Sequence, residues 1–122
     1  MSETQPKPTS PQILKMEHTD SGCILYWRIP EDLYYFDGHF PQMPIVAGVC
    51  QLKWVIDAIQ SCTGETLRMS GLEDIKFLRP ISPGQSCVVE LTYASLPPCW
   101  RYEISTEGAK PVASGRLLIQ LP

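Results

Sequence analysis

One segment of this 122-residue chain reads as a helix, and every other regular segment reads as strand. From Ala47 to about Cys62 apolar side chains recur at helical spacing, and Gly64 supplies a natural C-terminal stop. On a wheel of 100° per residue Val49, Leu52, Val55, Ile56, Ala58 and Ile59 share one half. Lys53, Asp57 and Gln60 lie just beyond the edge marked by Val49. Gln51 falls inside the apolar half, so a buried hydrogen bond or a partner subunit is expected to meet it. Ahead of the helix, "QILKMEH" and "CILYWRIP" read as two strands joined at Asp20-Ser21-Gly22. Between them and the helix, Glu31 to Pro44 carries Gly38, Pro41 and Pro44, which prevent any long regular element. Behind the helix, "LRMSGLEDIKFLRPI", "SCVVELTYAS", "CWRYEIST" and "VASGRLLIQL" read as four more strands, separated by Ser82-Pro83-Gly84, Pro97-Pro98 and Glu107-Gly108. A lone amphipathic helix has to be covered. A strongly curved antiparallel sheet wrapped around it, an α+β architecture, is the simplest cover for these elements.

The chain is long enough for one domain that buries roughly two-thirds of its unfolded surface. Residues 1–10, rich in Pro, Ser, Thr and Lys, are expected to be a flexible lead-in to a domain over 11–122. A formal net charge of −3 implies no general affinity for nucleic acid or an anionic membrane. No apolar run approaches the roughly 20 residues that span a bilayer. The polar, Pro-rich start does not read as a secretory signal, so a cytoplasmic setting is expected. The five cysteines, Cys23, Cys50, Cys62, Cys87 and Cys99, are odd in number and lack C-x-x-C spacing. Reduced thiols are therefore expected rather than disulfides or a zinc site.

Chemistry concentrates ahead of the helix. His39, one of two histidines, sits in Gly38-His39-Phe40-Pro41, a turn whose Gly and Pro fix its backbone. Nine residues later Gly48 falls where the helix begins, and a helix start offers unpaired N–H donors and a favourable dipole. His18, beside Glu17 and Asp20, is expected at the surface without a role. Cys50 has no histidine or charged relay nearby in sequence, which argues against a thiol nucleophile. Trp27, Trp54 and Trp100 are expected as core or interface anchors, and Met43 and Met69 as gap-fillers. Alternation puts Lys76 and Leu78 on one strand face and Phe77 and Arg79 on the other.

"FDGHFPQMPIVAGVCQL" resembles the active-site turn and helix start of the β-hydroxyacyl-acyl carrier protein dehydratases, which have the hotdog fold. Within that family it is most similar to the thioester dehydratases of aryl polyene pathways. Downstream, "DIKFLRPISPGQSCVVEL" resembles the family's strand-turn-strand, and the two matches together cover most of residues 11–122. The resemblance implies that a histidine, here His39, removes a proton from C2 of a 3-hydroxyacyl thioester. It implies that the backbone N–H of Gly48 holds the thioester carbonyl, and that an acid on the helix protonates the departing hydroxyl. It further implies an acyl carrier protein-linked substrate docked through basic residues, of which Arg79 is the candidate. No cofactor is implied. A homodimer is implied, in which His39 of one subunit faces Lys53 of the other.

The pattern departs from the family at the helix acid. Fourteen residues after the histidine, where Glu or Asp is usual, stands Lys53, and four residues on, where Gln is usual, stands Asp57. Ala47 likewise replaces the usual proline before the helix-starting glycine. Three accounts stay open. Lys53 is the proton or hydrogen-bond donor, with Asp57 in the substrate site orienting it, and a cation there would favour the neutral imidazole. Alternatively, the two form an ordinary i,i+4 pair worth about 0.3–0.5 kcal/mol. In the last account, the site binds thioesters without turning them over. A hotdog thioesterase, with Asp57 activating water, and a noncatalytic carrier-binding subunit are the alternative functions.

Overall fold

The computed structural model describes residues 9–31, 48–106 and 110–120. Strands β1 (Gln12–Thr19) and β2 (Gly22–Arg28) precede helix α1 (Gly48–Thr63). Strands β3 (Met69–Phe77), β4 (Ser86–Ser95), β5 (Pro98–Thr106) and β6 (Lys110–Ile119) follow it. The six strands form one sheet in the order β1-β2-β4-β5-β6-β3, and every neighbouring pair is antiparallel. Among the described residues, the expected pattern of two strands, one helix and four strands is thus observed. The hairpin turns at Asp20-Ser21, and the Glu107-Gly108 turn lies outside the described residues.

Register explains why the sheet has one apolar face. Leu25 pairs with Val89, Val89 with Ile104 and Ile104 with Ala113, which lays a continuous apolar row across four strands. The next row runs Cys23, Leu91, Tyr102 and Gly115. All of these are buried, whereas Glu90, Arg101 and Glu103 on the opposite face are exposed, as a period of two requires. Gly115 makes room within its row. A Cβ there would stand 2.5 Å from Ile75 Cδ1 and 3.0 Å from Tyr102 Cε1.

Helix α1 lies against these rows through Cys50, Gln51, Trp54, Val55, Ala58 and Ile59. Trp54 meets Trp27 edge to face at 6.0 Å and donates its indole N–H to the carbonyl of Thr9 at 3.0 Å. The burial of Gln51 and of all three tryptophans agrees with the sequence reading. The buried stripe, however, is rotated from the expected one. Val49 is 75% exposed, Leu52 and Ile56 are half-buried, and Cys50 and Trp54 take their place in the core. Hydrophobicity on a wheel cannot distinguish the face covered by the chain's own sheet from an apolar face left open.

The helix ends as expected: Gly64 adopts φ 73° and donates its N–H to the carbonyl of Gln60 at 2.8 Å. Beyond β2, Ile29 is pinned to the Ser82–Gln85 turn, donating to the carbonyl of Gln85 and accepting from Gly84, each at 2.8 Å. The cysteines depart from expectation. Cys23 and Cys62 are joined as a disulfide across 39 residues of sequence, with Cα atoms 6.4 Å apart. Cys23 points inward from β2 and Cys62 lies in the last turn of α1, a proximity that only the tertiary fold creates. Cys50, Cys87 and Cys99 are free and buried.

Two glycines provide a test of this packing. A Cβ on Gly22 would fall 1.9 Å from the carbonyl oxygen of Leu91, a backbone atom that no rotamer change can move. At Gly64 nothing lies within 4 Å, so alanine meets only left-handed backbone strain. Denaturant unfolding should therefore show Gly22→Ala losing about 3 kcal/mol or more, against about 1 kcal/mol for Gly64→Ala.

Candidate active site

Gly48 opens α1, so its N–H is among the four that a helix leaves without an internal acceptor. The ring of Phe77 stands directly against it. A Cβ on Gly48 would lie 2.6 Å from Phe77 Cζ and 2.9 Å from Cε2, so only glycine permits this approach. Phe77 is 50% exposed, which makes its ring a wall between the helix start and the surface.

A bulge delivers that ring. In the pairing of β3 with β6, Leu72 faces Leu117 and Glu73 faces Arg116, but the next regular pairs are Lys76 with Ser114 and Phe77 with Ala113. Two residues of β3, Asp74 and Ile75, thus span the single Gly115. Asp74 takes φ 54°, and its carboxylate accepts a hydrogen bond from the Arg116 guanidinium. Arg116 also lies 3.8 Å from Glu73. The extra residue brings Leu72 and Phe77, an odd number apart, onto the face shared with the buried Leu117 and Ala113. Lys76 lines the groove on the opposite face with Glu90, Arg101 and Glu103, as the alternation around it anticipated.

Lys53 and Asp57 are both exposed. Among the described residues no ion pair joins them, so the simple i,i+4 pair is not formed. Asp57 instead borders a cleft of about 110 Å³ with Ile13, Trp27 and Trp54. Lys53 lies five residues beyond Gly48, about 7.5 Å along the axis and 140° around it, so it does not share the side on which Phe77 stands. It shares the open face of the helix with Val49, and its charge reaches Cys50. Burial raises the Cys50 thiol above its ordinary value, and Lys53 acts in the opposite direction. Burial likewise pushes the Cys87 thiol up to about 11. Both stay protonated near neutral pH, which disfavours a cysteine nucleophile as the sequence reading expected. Arg79 is exposed just beyond β3, its backbone N–H donating to the carbonyl of Val112 at 3.2 Å. His39, Met43 and Ala47 lie outside the described residues.

The described part of the site thus combines a helix start beside an aromatic wall with a lysine on an open helix face. Such a start can receive a carbonyl oxygen that gains negative charge. Phe77 was not singled out as a site residue from sequence. The available signal was the odd spacing of apolar Leu72, Ile75 and Phe77 in a single strand.

Residues 15–116 match the model of the ApeI-like family, described as ApeI dehydratase. Among curated relatives, the 3-hydroxyacyl-[acyl-carrier-protein] dehydratase FabZ of Erythrobacter litoralis is 35% identical over 66 residues. That stretch covers 47% of this chain and 42% of the relative, so the similarity spans less than half of the curated protein. Among solved structures, the dehydratase heterocomplex ApeI:P from Xenorhabdus doucetiae superposes with a TM-score of 0.83 at 20% identity, covering 92% of this chain and 99% of the other. An uncharacterized protein from Erwinia carotovora subsp. atroseptica gives 0.77 at 26% identity, covering 90% and 95%. The six-stranded curved sheet around one helix is therefore the hotdog fold. The helix-starting glycine and the strands that frame it fall within the matched residues, and the chain belongs to the ApeI-like dehydratase family.

Proposed function

We propose that this chain takes part in dehydrating a 3-hydroxyacyl thioester, carried on an acyl carrier protein, to the trans-2-enoyl thioester in fatty acid or aryl polyene type biosynthesis. The observation that carries this reading is the membership of residues 15–116 in a dehydratase family, with Gly48 opening helix α1 under Phe77. In the proposed reaction the His39 imidazole takes the C2 proton, and the electrons of that C–H bond form the C2–C3 double bond. The C3–O bond breaks, and the hydroxyl leaves as water with a proton from the acid. Negative charge that builds on the thioester oxygen is met by the Gly48 amide and the positive end of the helix. The Lys53 ammonium is assigned the proton or hydrogen-bond donor role. Asp57, turned toward a different cleft, is a weaker candidate for orienting it. The domain is assigned to residues 11–122 and the setting to the cytoplasm. No helix among the described residues is long and apolar enough to cross a membrane.

The open helix face supports a homodimer. Val49, Leu72, Phe77 and Leu78 are large, apolar and exposed, and among the described residues β3 is an edge strand. A second copy related by a two-fold axis would cover this surface and bring His39 of one subunit to Lys53 of the other, giving two equivalent sites. A second reading follows from Lys53 standing where an acid is usual. One structural relative is a heterocomplex, and a different partner chain that brings a carboxylic acid would complete the site in the same place. A thioesterase reading has only fold-level likeness behind it, since the superposing structures described as thioesterases or of that superfamily are 10–17% identical.

Incubating the chain with a 3-hydroxyacyl-carrier substrate separates these readings. Enoyl product marks a dehydratase, free carrier thiol a thioesterase, and binding without turnover a subunit that needs another chain. If the chain alone is active, His39→Ala should lower turnover by about 10²–10⁴-fold with an unchanged circular dichroism spectrum. Lys53→Ala should lower turnover, and Lys53→Glu should restore part of it with a displaced pH profile. Equal rates for wild type and both Lys53 variants would remove that side chain from the mechanism. Arg79→Glu should raise KM for a carrier-linked substrate and leave kcat unchanged, with no effect on a substrate lacking the carrier protein.

A further inference from the structure

A second group of reactive side chains lies at the other end of the helix. Cys62 is 14 residues beyond Gly48, about 21 Å along the axis, so this group is separate from the candidate active site. His18 and Cys23 are direct cross-strand partners on β1 and β2, and the helix end brings Cys62 to the same place. His18 Nδ1 lies 3.4 Å from Cys23 Sγ, and the ligand atoms of all three residues lie within 4.8 Å of one another. Cys23 is buried, Cys62 half-buried and His18 exposed, so the group opens to solvent on its histidine side.

A disulfide needs only the two cysteines. The imidazole nitrogen beside them completes a different set, two sulfurs and one nitrogen, which is a ligand set of tetrahedral zinc-class ions. Around such an ion, bonds of about 2.3 Å to sulfur and 2.0–2.1 Å to nitrogen place neighbouring ligand atoms about 3.5–3.8 Å apart. His18 and Cys23, at 3.4 Å, already stand close to that spacing. The two sulfurs reach it only after their bond is reduced, so the disulfide and the metal exclude each other.

We propose that His18, Cys23 and Cys62, with the disulfide reduced, bind one thiophilic divalent cation of the zinc class, with the fourth position open to solvent. Reduction breaks the S–S bond and gives each sulfur a proton and one of the two electrons. The ion then displaces both protons and binds two thiolates and the neutral imidazole nitrogen. In either state the last turn of α1 is tied to the β1–β2 hairpin. The inference does not depend on the dehydratase reading.

The probe is cobalt(II), added to the full chain under nitrogen after reduction with a water-soluble phosphine. The phosphine becomes the phosphine oxide, taking its oxygen from water, while the sulfurs take the two protons. The reduced protein should show the visible bands of tetrahedral cobalt and a thiolate-to-cobalt charge-transfer band. These should saturate at one ion per chain and vanish when zinc is added, and the unreduced protein should show neither. Cys62→Ser should abolish the charge-transfer spectrum. His18→Ala, a change at an exposed position, should weaken cobalt binding by about 10–100-fold or more, since loss of even an outer-shell partner costs that much. Absence of tetrahedral bands from the reduced wild type overturns the proposal. So do bands that survive Cys62→Ser, which would point to Cys50, Cys87 or Cys99, or binding unchanged by His18→Ala.

Discussion

The burial of one helix face by the inward rows of one sheet is the constraint on which the rest depends. Val55 and Ile59 are fully enclosed only because β2, β4, β5 and β6 present Leu25, Val89, Ile104 and Ala113 in a single row. A one-residue slip in any of these pairings would turn the row outward and leave the helix without a bed. The same seating fixes where the helix begins, and therefore where its first-turn amides lie. Fold and site are consequences of one packing arrangement.

The polar chemistry is divided between the two ends of that helix. At the N-terminal end an amide donor lies under an aromatic ring, and at the C-terminal end two sulfurs and an imidazole meet. Between them Lys53 and Asp57 occupy an uncovered face beside Val49. Among the described residues, the open helix face carries Lys53 and the exposed edge strand carries Phe77.

Much of the architecture was legible because helical spacing and turn punctuation encode it. β-forming segments set off by turn residues marked β2, β4 and β5, and helical spacing ended by Gly64 marked α1, so element order and fold class followed. Patterns of this kind describe a residue's own element and not what comes to meet it. The wheel therefore placed Val49 in the core and missed Cys50 and Trp54, since apolar character is shared by faces buried within a chain and faces reserved for a partner. The Cys23–Cys62 bond and the approach of His18 join a hairpin to a helix end dozens of residues away, and no local pattern records that. The site was read through the Gly-His-Phe-Pro turn and Gly48. Phe77 escaped because the strand that carries it breaks its own alternation.

That break has an evolutionary consequence. The left-handed kink at Asp74 stores one surplus residue, held by Arg116, and keeps Phe77 opposite Ala113. A lineage that dropped the surplus residue would regain a regular ladder with the aromatic ring still over the helix start. A residue added between Ile75 and Lys76 would instead set the charged Lys76 opposite Ala113 and displace the ring. Loss of a residue at the bulge and gain of one beside it thus have opposite consequences for the ring.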